Sequence, residues 1–368
     1  LLKSTARGAF LLNIILQTIK TNIAVQRLLK FRITRGNSKM DAKKQRRFIQ
    51  GVCLICCLFI LGCGGCKMFP GHGTSERGEG PEIPAEIRTG AREEPTIKVF
   101  MHEDDEIETM DFEKYIEGVV AAEMDNLWPL EALAAQAIIA RTYTLHRIAA
   151  GEKVKGKAAH VSTDPEGFQA YDADKINSRV RRAVRKTRGK VVTHDDQFIR
   201  AWFHAYAGPR TALAYEGLGP KEGNPSYIHI VEGKGQDIID PEEGSWKARF
   251  PLTEIRTIVT GETGHDPGAI SSVGILEKGP SGRALRIGFN ETEILAPILR
   301  LKLGSTEMRS TFIDKIEIDG PDLLMAGTGY GHGVGMCQWG AKAMAQKGKA
   351  AEDIISYFYR DIRFHNLW

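Results

Sequence analysis

The segment GVVAAEMDNLWPLEALAAQAIIARTYTLHRI, from Gly118 to Ile148, constrains the fold more than any other stretch of the chain. It carries too many apolar residues for a surface helix and too many alanines for a strand, so it reads as two helices buried in a core. The first covers 110–124, with Asp111 available as its N-cap. The second takes Pro129 into its first turn, runs to about Ala149 and stops at Gly151. Inside the first apolar run sits one carboxylate, Glu123. A negative charge near a helix C-terminus is disfavoured by the dipole, and partial burial raises a carboxyl pKa. Such a group holds a proton near neutral pH, as a general acid must. A solvated carboxylate at a helix end explains the same residues. Arg141 bears on the choice. Paired with Glu123 it would lower that pKa and make a structural salt bridge, whereas bound to a substrate it would leave the acid free.

The second helix holds few polar groups, among them Gln136, Arg141 and Tyr143. Gln136 and Tyr143 are seven residues apart and share a face. They read either as buried hydrogen-bonding residues of a packed central helix or as the lining of a groove. Elsewhere, 96–101 reads as a strand, 177–188 as a helix, 189–205 as strands, and 252–325 as short helices mixed with strands such as 285–289 and 314–318. Two more helices follow, at 338–347 and 351–359. Helices and strands alternate without the regular order of a doubly wound sheet, which makes the fold class α+β.

A second dense motif is GTGYGHGVGMCQWGA, residues 327–341. Its glycines imply backbone at close quarters, with His332 and Gln338 presented on the turn. No lysine stands in the P-loop position and no βαβ unit surrounds it, so nucleotide binding is disfavoured. His204 ends an apolar strand in AWFHAYAGPRT and reads equally as a satisfied core histidine. The basic segment SRVRRAVRKTRGK (178–190) has a narrow apolar stripe and reads as a solvated helix face.

The net charge of +4 does not call for nucleic acid. Five of the six cysteines fall between Cys53 and Cys66, which excludes a disulfide framework for the globular part. They lie in and just after a basic stretch, KKQRR, and an apolar run, VCLICCLFIL, the pattern of a signal peptide. The chain is therefore divided into an upstream extension from a misplaced start or, alternatively, a basic targeting segment (1–39), a signal segment (40–63), a flexible linker (64–96) and a globular domain (97–368). The ending ILGC resembles a bacterial lipobox, which would make Cys63 a lipidation site and the protein an exported, membrane-tethered one; an uncleaved N-terminal anchor is the alternative.

In order along the chain, YIEGVVAAEM…WPLEALAAQAIIARTYTL, AVRKTRGKVVTHDDQFIRAWFHA, LRLKLGSTEMRSTFI and GYGHGVGMCQWGAKAMAQKG resemble the SpoIID/LytB family, named for stage II sporulation protein D and an amidase enhancer. The resemblance spans nearly all of 97–368. It implies helices and strands forming a cleft between two lobes. It also implies a peptidoglycan lytic transglycosylase that prefers glycan strands stripped of peptides, in cell-wall remodelling or sporulation, with no cofactor. The family's catalytic glutamate falls on Glu123, and Gln136, Arg141, Tyr143, His204, His332 and Gln338 are expected to line the sugar cleft. The implied partners are glycan strands, a cell-wall amidase and the membrane. Two alternatives remain: a glycan-binding enhancer of an amidase, and a muramidase using Asp125 or Glu131 as a second acid. Some family members bind zinc through two cysteines; Ser162 and Phe168 stand in those places, so no zinc is expected. Where the family reads Ser-Gly-Gly after the histidine, this chain has Ala207, Gly208 and Pro209, and the proline is expected to reshape the turn.

Overall fold

The computed structural model describes residues 80–165 and 167–368. The expectations placed on the upstream extension, the signal segment, Cys63 and the N-terminal part of the linker lie outside the described residues.

The chain begins with β1 (Thr96–Met101), β2 (Glu106–Asp111), α1 (Phe112–Glu123), α2 (Leu130–Ala149), β3 (Val161–Ser162) and α3 (Ser178–Lys186). It continues through β4 (Lys190–His194), β5 (Gln197–Phe198), β6 (Phe203–His204), α4 (Ala214–Gly217) and α5 (Pro241–Gly244). Next come β7 (Ser245–Pro251), α6 (Leu252–Thr263), β8 (Val273–Lys278), β9 (Ala284–Phe289), β10 (Thr292–Leu295) and α7 (Ala296–Lys302). The last elements are β11 (Ile313–Asp319), β12 (Asp322–Thr328), β13 (Met336–Cys337), α8 (Gln338–Gln346), α9 (Ala351–Phe358) and β14 (Arg363–Asn366). The result is a mixed α+β fold. Its strands form small sheets ordered β2-β1-β3, β14-β4-β5, β13-β6, β11-β12-β7 and β10-β9-β8.

The buried apolar side chains separate into two clusters. One surrounds α2, which packs against α1, α3, β4, α8 and α9. Its alanines leave no bulk between neighbouring backbones, so α2 sits at the centre of its cluster with Leu133, Ile138 and Ile139 fully buried. The other cluster joins β7, α6, β9, α7 and β12 through Trp246, Phe250, Phe289 and Leu299. Here strand alternation is plain: β7 buries Trp246, Ala248 and Phe250 and exposes the residues between them.

Residues 80–95 depart from the expected linker. Ile83 and Ile87 are buried in the first cluster. Glu94 Oε1 accepts the Glu113 N–H at 2.9 Å, and the Pro95 carbonyl accepts the Phe112 N–H at 3.0 Å. These groups take up donors at the start of α1 that Asp111, expected as the cap, leaves free, since its side chain makes no capping bond. A segment rich in Gly, Pro and charge is thus part of the packed body, because two isoleucines and one acid are enough to dock it. Among the described residues, no helix is long and apolar enough to cross a membrane.

Candidate active site

Helix α1 ends at Glu123 and the chain turns through Asp125 to Trp128 before entering α2. The Glu123 side chain is partly exposed, and its Oε1 accepts the Ala170 N–H at 2.9 Å. Burial pushes this carboxyl up to about 7, a rise that the Ala170 N–H only partly opposes. Among the described residues no cation forms an ion pair with it, which answers the question posed by Arg141.

Arg141 is fully buried elsewhere. Its Nε and Nη2 meet Glu113 Oε1 and Oε2 at 3.0 and 2.6 Å, and its Nη1 donates to the Lys190 carbonyl at 2.8 Å. Glu113 Oε1 also accepts the Gly189 N–H and the Trp368 indole N–H, each at 2.9 Å. The expectation that Arg141 lines a sugar cleft is therefore corrected. Its donors are spent tying α1, α2 and β4 together, and none of its surface reaches solvent.

Gln338, the first residue of α8, donates from Nε2 to the Glu123 backbone carbonyl at 3.0 Å and to Gln136 Oε1 at 3.4 Å. These three expected residues are thus brought together across more than two hundred residues of sequence. The Nε2 of Gln136 is buried without a partner among the described residues. Tyr143, two turns further along α2, is close enough for the Glu123 charge to raise its pKa, although burial is the larger cause. Its hydroxyl accepts Arg147 Nη1 at 3.2 Å, and its ring meets Phe168 edge on at 5.6 Å. Phe168, in a family zinc position, packs beneath the Arg147 guanidinium, while Ser162 Oγ accepts the Asp164 N–H.

His204 and His332 form a second group. Their rings meet edge to face at 5.6 Å. The Val334 backbone sorts their tautomers: its carbonyl accepts His204 Nδ1 at 3.1 Å, while its N–H donates to His332 Nδ1 at 3.1 Å. His204 therefore carries its proton on Nδ1 and leaves Nε2 a buried acceptor with no protein partner. Burial, reinforced by the cations of Arg300 and Arg283, pushes His332 down to about 3 and holds His204 well below the ordinary histidine range. Both rings are neutral hydrogen-bonding groups. The β6–β13 pairing sets His204 opposite Cys337, the residue before Gln338.

The loop joining β12 to β13 alternates glycines in the left-handed region, Gly329, Gly331, Gly333 and Gly335, with side-chain-bearing residues. A Cβ on Gly331 would lie 2.8 Å from the His204 Cβ, and one on Gly333 would lie 2.4 Å from the Arg283 guanidinium. This is the close backbone approach that the glycine run implied. The turn after His204 is anchored: Ala207 donates its N–H to Cys337 Sγ at 3.3 Å and accepts Arg283 Nη2 at 2.7 Å, while the Pro209 carbonyl accepts the Gly233 N–H at 3.0 Å.

Four groups around this site were invisible in the sequence reading: the Ala170 N–H, the two tryptophans Trp128 and Trp339, and Lys342. Both tryptophans stand within the quoted motifs, but nothing in their spacing says that they meet. In the structure their rings pack edge on at 5.0 Å.

A family model described as SpoIID, stage II sporulation protein, matches residues 101–194. The chain is 28% identical over 257 residues to an uncharacterised protein of Brachyspira hyodysenteriae, covering 70% of this chain and 67% of that one. It is 26% identical over 283 residues to stage II sporulation protein D of Bacillus subtilis, covering 72% and 77%. It is also 27% identical over 289 residues to the amidase enhancer of the same organism, of which it spans 39%. The matched segment carries α1, Glu123 and the whole of α2, so the likeness to the SpoIID family lies in the part of the chain that holds the candidate acid.

Proposed function

We propose that this protein is a lytic transglycosylase of peptidoglycan, cutting peptide-free glycan strands between N-acetylmuramic acid and N-acetylglucosamine in a cleft between the two apolar clusters. The observation that carries this reading is Glu123: a carboxyl raised to about 7 by burial, with no cation paired to it among the described residues. Hydrolytic glycosidases use two carboxyl groups, one of them for water or a covalent intermediate. Here the two neighbouring acids are engaged. Asp125 accepts the Leu127 N–H at 2.9 Å, and Glu131 pairs with Lys186 and accepts the Ala351 N–H at 3.1 Å.

One carboxyl is sufficient when the substrate supplies its own nucleophile. Protonated Glu123 gives its proton to the glycosidic oxygen as the bond from the muramic acid anomeric carbon breaks. The resulting carboxylate then takes the proton of the C6 hydroxyl as that oxygen bonds to the same carbon. The products are a 1,6-anhydro end and a free 4-hydroxyl, no water is consumed, and the enzyme regains its proton. Gln136, Gln338, His204 and His332 serve as neutral hydrogen-bonding groups for the sugars. Export and a lipid anchor on Cys63 would place the domain at the cell envelope, beside its glycan substrate.

Purified peptide-free strands incubated with the protein should yield 1,6-anhydromuramic ends by mass spectrometry, and Glu123→Gln should yield none. Reducing ends would point to a muramidase. Glycan binding without new ends, together with amidase stimulation that survives Glu123→Gln, would favour the enhancer reading that the Bacillus relative's name suggests.

A further inference from the structure

Beyond the acid and its glutamines, the site carries a cation whose partners are rings. Lys342 Nζ lies 3.9 Å from the centroid of the Trp339 ring and 4.5 Å from that of Trp128. Both indoles are placed by connectivity to Glu123. Trp128 closes the turn that follows it, with its backbone N–H on the Asp125 carbonyl at 3.0 Å, and Trp339 comes directly after Gln338, whose side chain donates to the Glu123 carbonyl. Among the described residues no carboxylate lies within ion-pair distance of Lys342. Asp125 and Glu243 act on it only at longer range, while partial burial lowers its pKa.

An ammonium group has three donors, and two ring faces satisfy them weakly. Its strongest complement is a carboxylate, which would gain a charge-assisted bond in a partly desolvated place. Trp339 also borders a cavity of about 180 Å³ that is lined by Tyr206, Tyr330, Arg309 and Glu243. Aromatic walls with a few convergent polar groups suit the apolar faces of a pyranose ring. The ligand that fits ring and cation together is a sugar bearing an acid.

We propose that Lys342, clamped between Trp128 and Trp339, binds the carboxylate of an acidic sugar. Resting on the function proposed above, that carboxylate is the free lactyl group of muramic acid. A stem peptide converts this group to an amide and removes its charge, so Lys342 makes the bare strand the better ligand. It is a specificity-determining residue. Glu123 remains the only group that moves protons.

The test uses two matched glycan oligosaccharides, one with free lactyl carboxylates and one with these capped as methylamides. Binding is measured by calorimetry in the Glu123→Gln background, where nothing is cut. The acid form should bind roughly 10- to 100-fold more tightly than the amide. Lys342→Met, which keeps the apolar stem between the rings, should bind both forms like the amide, and Lys342→Arg should keep most of the preference. Circular dichroism checks that each variant is folded. Equal affinities with Lys342 present, no binding of either form, or a preference that persists in Lys342→Met would overturn the proposal. Discrimination in binding without anhydro ends from the wild type would instead defeat the transglycosylase reading and leave the carboxylate site standing. Anhydro ends formed equally from acid and amide would defeat the site alone.

Discussion

Arg141 lays its guanidinium against the carboxylate of Glu113, 28 residues earlier, and not against Glu123. That pairing leaves the acid at the end of α1 without a counter-charge among the described residues, so burial outweighs the opposing Ala170 N–H in setting its proton affinity. Breaking a buried pair strands the other charge and costs about 3–5 kcal/mol. Arg141→Met should therefore lower the unfolding free energy by about that amount in urea melts, with KM for glycan unchanged in the folded fraction. A variant of unaltered stability and raised KM would return Arg141 to the substrate.

The raised Glu123 carboxyl predicts two opposite pH trends. As an acid it must carry its proton, so kcat/KM should be flat below about pH 7 and fall tenfold per unit above it. Stability follows from linkage. Because the folded pKa lies above the unfolded one, the folded state holds the proton more tightly, and stability declines as pH rises from 4.5 through about 7. Glu123→Gln should abolish the alkaline limb together with the activity, and be more stable than the wild type at pH 8 by on the order of 1–3 kcal/mol. Chemical denaturation at pH 5 and pH 8 checks the sign. A variant that loses stability equally at both would contradict it.

The histidine pair makes a negative prediction with a direct readout. Burial and the two arginines keep His204 and His332 neutral, so their ring nitrogens should not titrate between pH 5 and 8 in NMR spectra. Neither should add a limb to the pH profile. Replacing His204 by Asn should raise KM and leave the alkaline limb set by Glu123 where it stands.

Gln136 buries an amide nitrogen with no partner among the described residues. Gln136→Leu removes that unsatisfied donor, so the free protein should be as stable as the wild type or more so, by up to about 1 kcal/mol. Affinity for glycan should drop. A stability loss without an affinity change would mark Gln136 as a plain core residue.

The helices were legible because their signals are local. The Gly118–Ile148 pattern, the stop at Gly151 and the two C-terminal helices depend on periodicity and on residues close in sequence. The site was legible only in part. That Gln136 and Gln338 belong to one site was an expectation from motif resemblance, whereas the partner of Arg141 was not read, since a guanidinium has no directional signature in sequence and only Glu123 had been weighed against it. The docking of 80–95 escaped because it depends on two isoleucines and Glu94 in a segment whose composition reads as linker. The Lys342 clamp escaped because its two rings lie on elements that only the tertiary fold brings together.

The alternating loop before β13 divides its positions into two kinds. At 329, 331, 333 and 335 the backbone twist favours glycine, and at 331 and 333 an added methyl would also press into His204 or Arg283. Only Tyr330, His332 and Val334 are left to carry side chains, and that of Val334 is fully buried. Any diversification of this stretch thus has two usable letters, 330 and 332, in a frame that the intervening glycines forbid to shift by even one residue.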